Sequence, residues 1–179
     1  MILKRFPQES ENSVEYFNKK YFLPIVLSRS RFAEDRVKLL ARSGKIQYVI
    51  CGAGVDTFSF RNKDPNVEVF ELDLYYLPLP VFAETVRQFS EIASTGISIV
   101  FDYLQKDAYS NSVQELRKIV ADCGETMAEG YLDREVFEVL ERYGFKVDEF
   151  LGENALQQRY FLMGNLKAFD SVRLIAAVK

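Results

Sequence analysis

The stretch Tyr48-Val49-Ile50-Cys51-Gly52-Ala53-Gly54-Val55-Asp56-Thr57, followed by Val67-Glu68-Val69-Phe70-Glu71-Leu72-Asp73, constrains the fold more than any other part of this chain. It reads as a buried strand, a glycine turn, a helix start and a second strand that ends in acids. A nucleoside-containing cofactor needs that order. Glycines let the backbone approach the ligand, helix-start amides face its polar part, and a carboxylate accepts from the ribose hydroxyls. Asp73 lies nineteen positions after Gly54, close to the spacing of about 20 residues expected for a ribose acid.

The rest of the chain alternates strands and helices. A helix is expected over about residues 26–43, with Phe32, Ala33, Val37, Leu40 and Ala41 on one face and Gly44 as its stop. Strands are expected at Gln47–Cys51 and Val67–Leu72, joined through the turn residues Asn62 to Asn66. Leu79, Phe82, Val86, Phe89 and Ala93 recur at helical spacing, and the apolar run Ile97–Tyr103 reads as a central strand. Further helices are expected over Val113–Val120 and from a cap at Asp133 to Gly144, and strands at Phe145–Phe150 and Val172–Val178. This rhythm argues for an α/β sheet covered by helices on both faces, with ligand at the carboxyl ends of its strands. The length, 179 residues, favours a single domain. Residues 1–46 are expected as an N-terminal helical cap, in which Tyr16, Phe17, Tyr21 and Phe22 dock on the body, and residues 47–179 as the α/β core.

Composition removes several function classes. There is no histidine, so Ser-His-Asp and Cys-His catalysis and histidine metal sites are excluded, leaving carboxylates, Tyr, Lys and Cys as acids and bases. The two cysteines, Cys51 and Cys123, form neither a metal spacing nor a disulfide framework; no metal is expected, and a reduced, cytoplasmic setting is the default. A net charge of −3 and a pI near 5.2 argue against a nucleic-acid partner. The absence of a long apolar run argues against a signal peptide or a membrane span.

At these residues the chain resembles the leucine carboxyl methyltransferase family, class I S-adenosylmethionine-dependent O-methyltransferases with varied acceptors. The matching elements are Ser28-Arg29-Ser30-Arg31-Phe32, Cys51 to Thr57 with Arg61, Phe70-Glu71-Leu72-Asp73, Tyr76-Leu77-Pro78, Val100-Phe101-Asp102-Tyr103 and Glu141-Arg142-Tyr143-Gly144-Phe145. The resemblance implies a Rossmann-like sheet, S-adenosylmethionine as cofactor and a small-molecule or peptide methyl acceptor. It implies that Arg29 holds the cofactor's methionine carboxylate, that Gly52, Ala53 and Gly54 pass beneath the methionine portion, and that Asp73 holds the ribose. Glu71, on the same side of its strand as Asp73 by alternation, either shares the ribose or satisfies a backbone donor. The chemistry suits each role: arginine forms bidentate charge-assisted pairs with carboxylates, glycine carries no obstructing side chain, and an ionised carboxylate only accepts. No catalytic residue can be named. A carboxylate acceptor needs no general base, whereas a hydroxyl acceptor does.

One departure is large. Family members carry several dozen residues between the ribose acid and the Tyr-Leu-Pro helix, including the adenine contacts and the strand beside strand one, whereas here Leu74 abuts Tyr75. Either the sequence as read omits a stretch that the protein has, or the chain carries an internal deletion. A deletion would expose strand edges that must be repacked or covered by a second copy of the chain. Two other functions stay open at this level. A non-catalytic methyltransferase-like binding or assembly module would tolerate loss of the adenine pocket. A nicotinamide-dependent oxidoreductase fits less well, because its third glycine position is Thr57.

Overall fold

The computed structural model describes residues 21, 23–51, 57–72, 77–92, 96–106, 111–122 and 129–179. The elements run α1 (Leu23–Ala41), β1 (Ile46–Cys51), α2 (Phe58–Arg61), β2 (Val67–Leu72), α3 (Leu79–Ile92), β3 (Ser98–Leu104), α4 (Asn111–Asp122), α5 (Asp133–Arg142), β4 (Lys146–Leu151), α6 (Glu153–Tyr160) and β5 (Val172–Val178). This is a mixed α/β architecture, and the described strands form two sheets rather than one. β1 and β2 pair in parallel, from Ile46 opposite Val67 to Cys51 opposite Leu72. The other sheet has the order β3-β5-β4 with both pairings antiparallel.

β5 organises the larger sheet. Val172, Leu174 and Ala176 face one core with Phe32 of α1, Val113 and Leu116 of α4 and Leu156 of α6. Ile175 and Ala177 face the other, with Phe82 and Val86 of α3 and Val136, Val139 and Leu140 of α5. The period-two alternation of a strand thus feeds two apolar layers at once, which is why this segment is apolar at almost every position. β3 was expected at the centre; instead it pairs with β5 alone among the described strands. Its apolar run reflects packing on both faces, with Val100 and Leu104 against one core and Ile99 and Phe101 against the other. Burial on two faces is not the same as a central place in the ladder, and periodicity reports only the first.

The β1–β2 sheet is built differently. Ile50, Val67 and the partly buried Ile46, Tyr48 and Val69 pack against Val37 and Ala41 of α1 and Phe58 of α2. On the opposite face Val49 and Phe70 stand across from one another and remain 42% and 43% exposed. Parallel strands are normally covered on both faces, so half of this small sheet lacks its usual cover among the described residues.

α1 joins the two sheets. Its first turns lie on the β3–β5 core through Phe32, and its last turns lie on β1–β2 through Val37 and Ala41. Polar contacts follow the same division: the Arg36 guanidinium meets Asp148 at 2.5 Å in the bulge of β4, while the side chain of Asn66, just before β2, donates to the carbonyl of Ala41. Pro24 sits in the first turn, where a missing N–H costs nothing, and Gly44 with φ +145° follows the last turn.

One element escapes the sequence reading, the helix α6, whose short length and polar sequence give little periodicity; the helix start expected after the glycine turn amounts to the single turn α2. Asp133 was expected to cap α5. It is instead the first helical residue, Leu132 occupies the capping position, and the Leu132 N–H donates to Glu135 Oε2 at 2.8 Å. The Asp133 carboxylate accepts from Tyr103. Of the aromatic cluster expected to dock at the N-terminus, Tyr21 is fully buried, packs edge-on against Phe169 and donates to Glu115; Tyr16, Phe17 and Phe22 lie outside the described residues. Among the described residues no helix is long and apolar enough to cross a membrane.

Candidate functional site

β1 ends at Cys51 and β2 at Leu72, and these two residues stand opposite each other in the parallel register. The chain therefore leaves both strands at the same edge of the sheet, once toward Gly52-Ala53-Gly54 and once toward Asp73. Carboxyl ends of adjacent parallel strands are where α/β proteins hold nucleoside ligands. Gly52, Ala53, Gly54 and Asp73 themselves lie outside the described residues, as does the Leu74-Tyr75 junction. Glu71 is described as a strand residue opposite Ile50, without its side chain.

Downstream of the glycine turn, Thr57 precedes the single helical turn α2, and Arg61 closes it. The Arg61 Nε donates to Thr57 Oγ1 at 3.0 Å, and its Nη2 donates to Glu34 Oε1 on α1 at 2.7 Å. Lys38 lies 3.7 Å from the same Glu34 carboxylate. Arg61, which belongs to the most specific part of the family motif, is thus a tie between the glycine-turn segment and α1. Glu34 is a buried acid, and its pairing with Arg61 could not be read from the sequence because the two lie 27 residues apart.

Arg29 leaves α1 near its first turns. Its Nη1 donates to Asp102 Oδ1 at 3.2 Å, with side chains 50% and 21% exposed. That contact joins α1 to the carboxyl-terminal part of β3. Arg29 is therefore neither a bare surface charge nor a buried structural one. Its remaining N–H groups have no partner among the described residues, and such a guanidinium suits a carboxylate ligand.

Next along β3, Tyr103 is buried and donates to Asp133 Oδ1 at 2.6 Å. Gln105 Nε2 lies 3.4 Å from the other Asp133 oxygen, and Arg173, paired across the strands with Tyr103, donates to Gln105 Oε1. Burial, and then the hydrogen bond to the Asp133 carboxylate, push the Tyr103 hydroxyl well above the usual tyrosine range. At pH 7 it is a neutral donor with an occupied proton, so Tyr103 serves structure here rather than acid–base work. Tyr131 stacks on Phe82 with ring centroids 5.3 Å apart, and its hydroxyl donates to the Leu77 carbonyl just ahead of α3. Burial raises its pKa too.

The described residues form a mixed α/β protein with a parallel β1–β2 pair, and the sequence places Gly52-Ala53-Gly54 after the first of these strands and Asp73 after the second. Residues 3–77 match the model of the leucine carboxyl methyltransferase family. Over 243 positions, covering 99% of this chain and 80% of the relative, the sequence is 26% identical to a protein of Bacillus subtilis (strain 168) that bears the name "Putative S-adenosyl-L-methionine-dependent methyltransferase YktD". Because the match extends over 243 positions and the chain has 179 residues, at least 64 of those positions have no counterpart in it.

Proposed function

We propose that this protein is an S-adenosylmethionine-dependent O-methyltransferase acting on a carboxylate or hydroxyl of a small molecule or peptide. The observation that carries the reading is the parallel β1–β2 pair, whose two carboxyl ends lead side by side into the glycine turn and the acid, within the segment that matches the family. Arg29, half exposed and with donors to spare, fits the carboxylate end of the methyl donor. A relative that carries S-adenosylmethionine dependence in its name supports the same cofactor.

The sulfonium of S-adenosylmethionine supplies an already activated methyl group. The protein's task is then to align the acceptor oxygen behind the methyl carbon and keep water away. The oxygen lone pair forms the new C–O bond as the C–S bond breaks and its electrons return to sulfur. A carboxylate acceptor needs no proton removed, which accords with a chain that has no histidine.

S-adenosylhomocysteine, present at about 100 times its dissociation constant, should add roughly 2.7 kcal/mol to the stability of the folded protein, read as a rise in Tm. Asp73→Ala should remove most of that rise. A protein of intact mass near 20.7 kDa that shows no shift at millimolar ligand would sink the enzyme reading. The second reading, a methyltransferase-like binding module, is favoured by the division of the strands into two sheets and predicts that negative result.

A further inference from the structure

We propose that the first half of α1 is the surface that selects the methyl acceptor: Leu23, Val26 and Leu27 take the aliphatic body of a carboxylic acid, and Arg31 supplies the charge that favours the anion. The inference rests on the methyltransferase reading and adds to it an acceptor class and the residues that choose it.

One side of α1 changes partners along its length. Leu23, Leu27, Glu34, Val37 and Ala41 lie three, four or seven residues apart and so share that side; Val26 stands next to Leu23 on it. In the second half the side is covered, with Val37 and Ala41 packed on β1 and β2 and Glu34 buried against Arg61. In the first half Leu23, Val26 and Leu27 are 38%, 39% and 42% exposed. This bare part lies past the carboxyl ends of β1 and β2. Both strands start beside the last turn of α1, where the Ile46 N–H donates to the Asn66 carbonyl and the Asn66 side chain donates to the Ala41 carbonyl. They run back along the helix, because Arg61, downstream of β1, meets Glu34 two turns before Ala41. At about 3.3 Å per strand residue against about 1.5 Å per helix residue, β1 ends roughly level with Ser30. Leu27, Val26 and Leu23 therefore border the space beyond the strand ends, where an α/β protein holds its ligand.

Charge decides the occupant. Residues 23–33 contain two arginines and no acid. Arg29 is paired with Asp102, whereas Arg31, four residues after Leu27, is exposed and has no hydrogen-bond or ion-pair partner among the described residues. An apolar stripe beside an uncommitted guanidinium is complementary to a molecule with an aliphatic body and an anionic end. A carboxylate has two oxygens. One lies against Arg31, and a lone pair of the other forms the C–O bond to the donor's methyl carbon while the C–S electrons return to sulfur. Leu23, Leu27 and Arg31 are all exposed, so replacing them by polar residues should leave the fold intact.

The test is calorimetry on the full chain saturated with S-adenosylhomocysteine, using hexanoate, octanoate and octylamine as probes. Octanoate should bind about 10-fold tighter than hexanoate, because two more methylenes leave water, and tighter than octylamine, which has the same body and the opposite charge. Leu23→Gln combined with Leu27→Gln should erase the dependence on chain length while S-adenosylhomocysteine still binds. Arg31→Gln should weaken octanoate by about 10-fold and remove its advantage over octylamine. A chain-length dependence that survives the double replacement, or octylamine binding as tightly as octanoate to the unaltered protein, would overturn the assignment. So would a dimer in sedimentation that the double replacement dissociates, since the stripe would then be an interface between copies of the chain. If the unaltered protein binds S-adenosylhomocysteine but neither carboxylate, only this assignment falls. If it does not bind S-adenosylhomocysteine, the methyltransferase reading falls and this assignment with it.

Discussion

The two sheets of this molecule solve the same packing problem with unequal resources. β5 is flanked by strands on both sides and by helices on both faces, and Val172, Leu174, Ile175, Ala176 and Ala177 are all buried. β1 and β2 have each other, and α1 with α2 on one face, while Val49 and Phe70 on the other face stay exposed. The difference teaches that a parallel pair depends on what surrounds it. β1 and β2 keep a continuous parallel register, yet among the described residues one of their two faces has no helix against it. α1 compensates in part by spanning both sheets.

The comparison can be broken first at its best-packed point. Ile175→Ala should cost about 2–5 kcal/mol, because a fully buried side chain between α3 and α5 leaves a cavity that two layers of helices cannot close. Ile50→Ala, in the thinner half, should fall at the lower end of that range. Chemical denaturation measures both, and equal losses would mean that the β1–β2 sheet is as fully supported as the other. Native-state hydrogen exchange should likewise show β1 and β2 amides opening at lower free energy than those of β5.

Next comes a backbone position in the better-packed half. Gly130 has φ +85°, and a Cβ there would lie 2.1 Å from the Leu104 carbonyl oxygen. That close approach lets the Tyr131 N–H donate to Leu104 and extends β3 by the short parallel bridge between Gln105 and Tyr131. Gly130→Ala should destabilise by about 1–3 kcal/mol. Gly44→Ala, with φ +145° but open space around it, should cost less, since only the backbone preference is violated.

Tyr103→Phe gives a smaller effect with a distinctive pH dependence. At neutral pH it should cost about 1 kcal/mol for the lost hydrogen bond to Asp133. The folded-state pKa of Tyr103 is raised, so the unfolded chain deprotonates first. The stabilisation is full below the ordinary tyrosine value of about 10 and is lost as pH rises from there toward the folded value. Urea titrations above pH 10 should show a steeper alkaline decline in the parent than in Tyr103→Phe. Parallel declines would show that other groups dominate.

The smallest expected change sharpens the contrast from the other side. Val49→Thr replaces an exposed apolar residue on the bare face with one of similar shape and strand preference. It should alter stability by about 0.5 kcal/mol or less. A loss near that of Ile175→Ala would mean that something covers this face in solution.

The elements themselves were largely legible in the sequence. β2 and β5 lie where the apolar pattern puts them, and α1, α3, α4 and α5 agree within a few residues, because a buried face imposes its own period on the chain. The glycine turn and the following acid stand out in the sequence because the expected role of such a unit depends on backbone freedom and on a fixed sequence spacing, and both lie outside the described residues. Arg29 could be singled out only by family resemblance, and nothing local linked it to Asp102, which is 73 residues away. The same holds for Glu34 with Arg61 and for Tyr103 with Asp133 and Arg173.

What the sequence determined by itself is therefore local: which segments are strands or helices, where the chain turns, and which residues have the chemistry to bind a nucleoside and an amino-acid end. Only the tertiary structure decided that the strands divide into two sheets, that β5 and not β3 lies at the centre of the larger one, and that α1 holds the two together. The physical reason is range. Periodicity and propensity act over a few residues, whereas strand order, charge pairing and the sharing of a helix between two cores are set by contacts between residues far apart in the chain, where each choice depends on which neighbours are present to be packed.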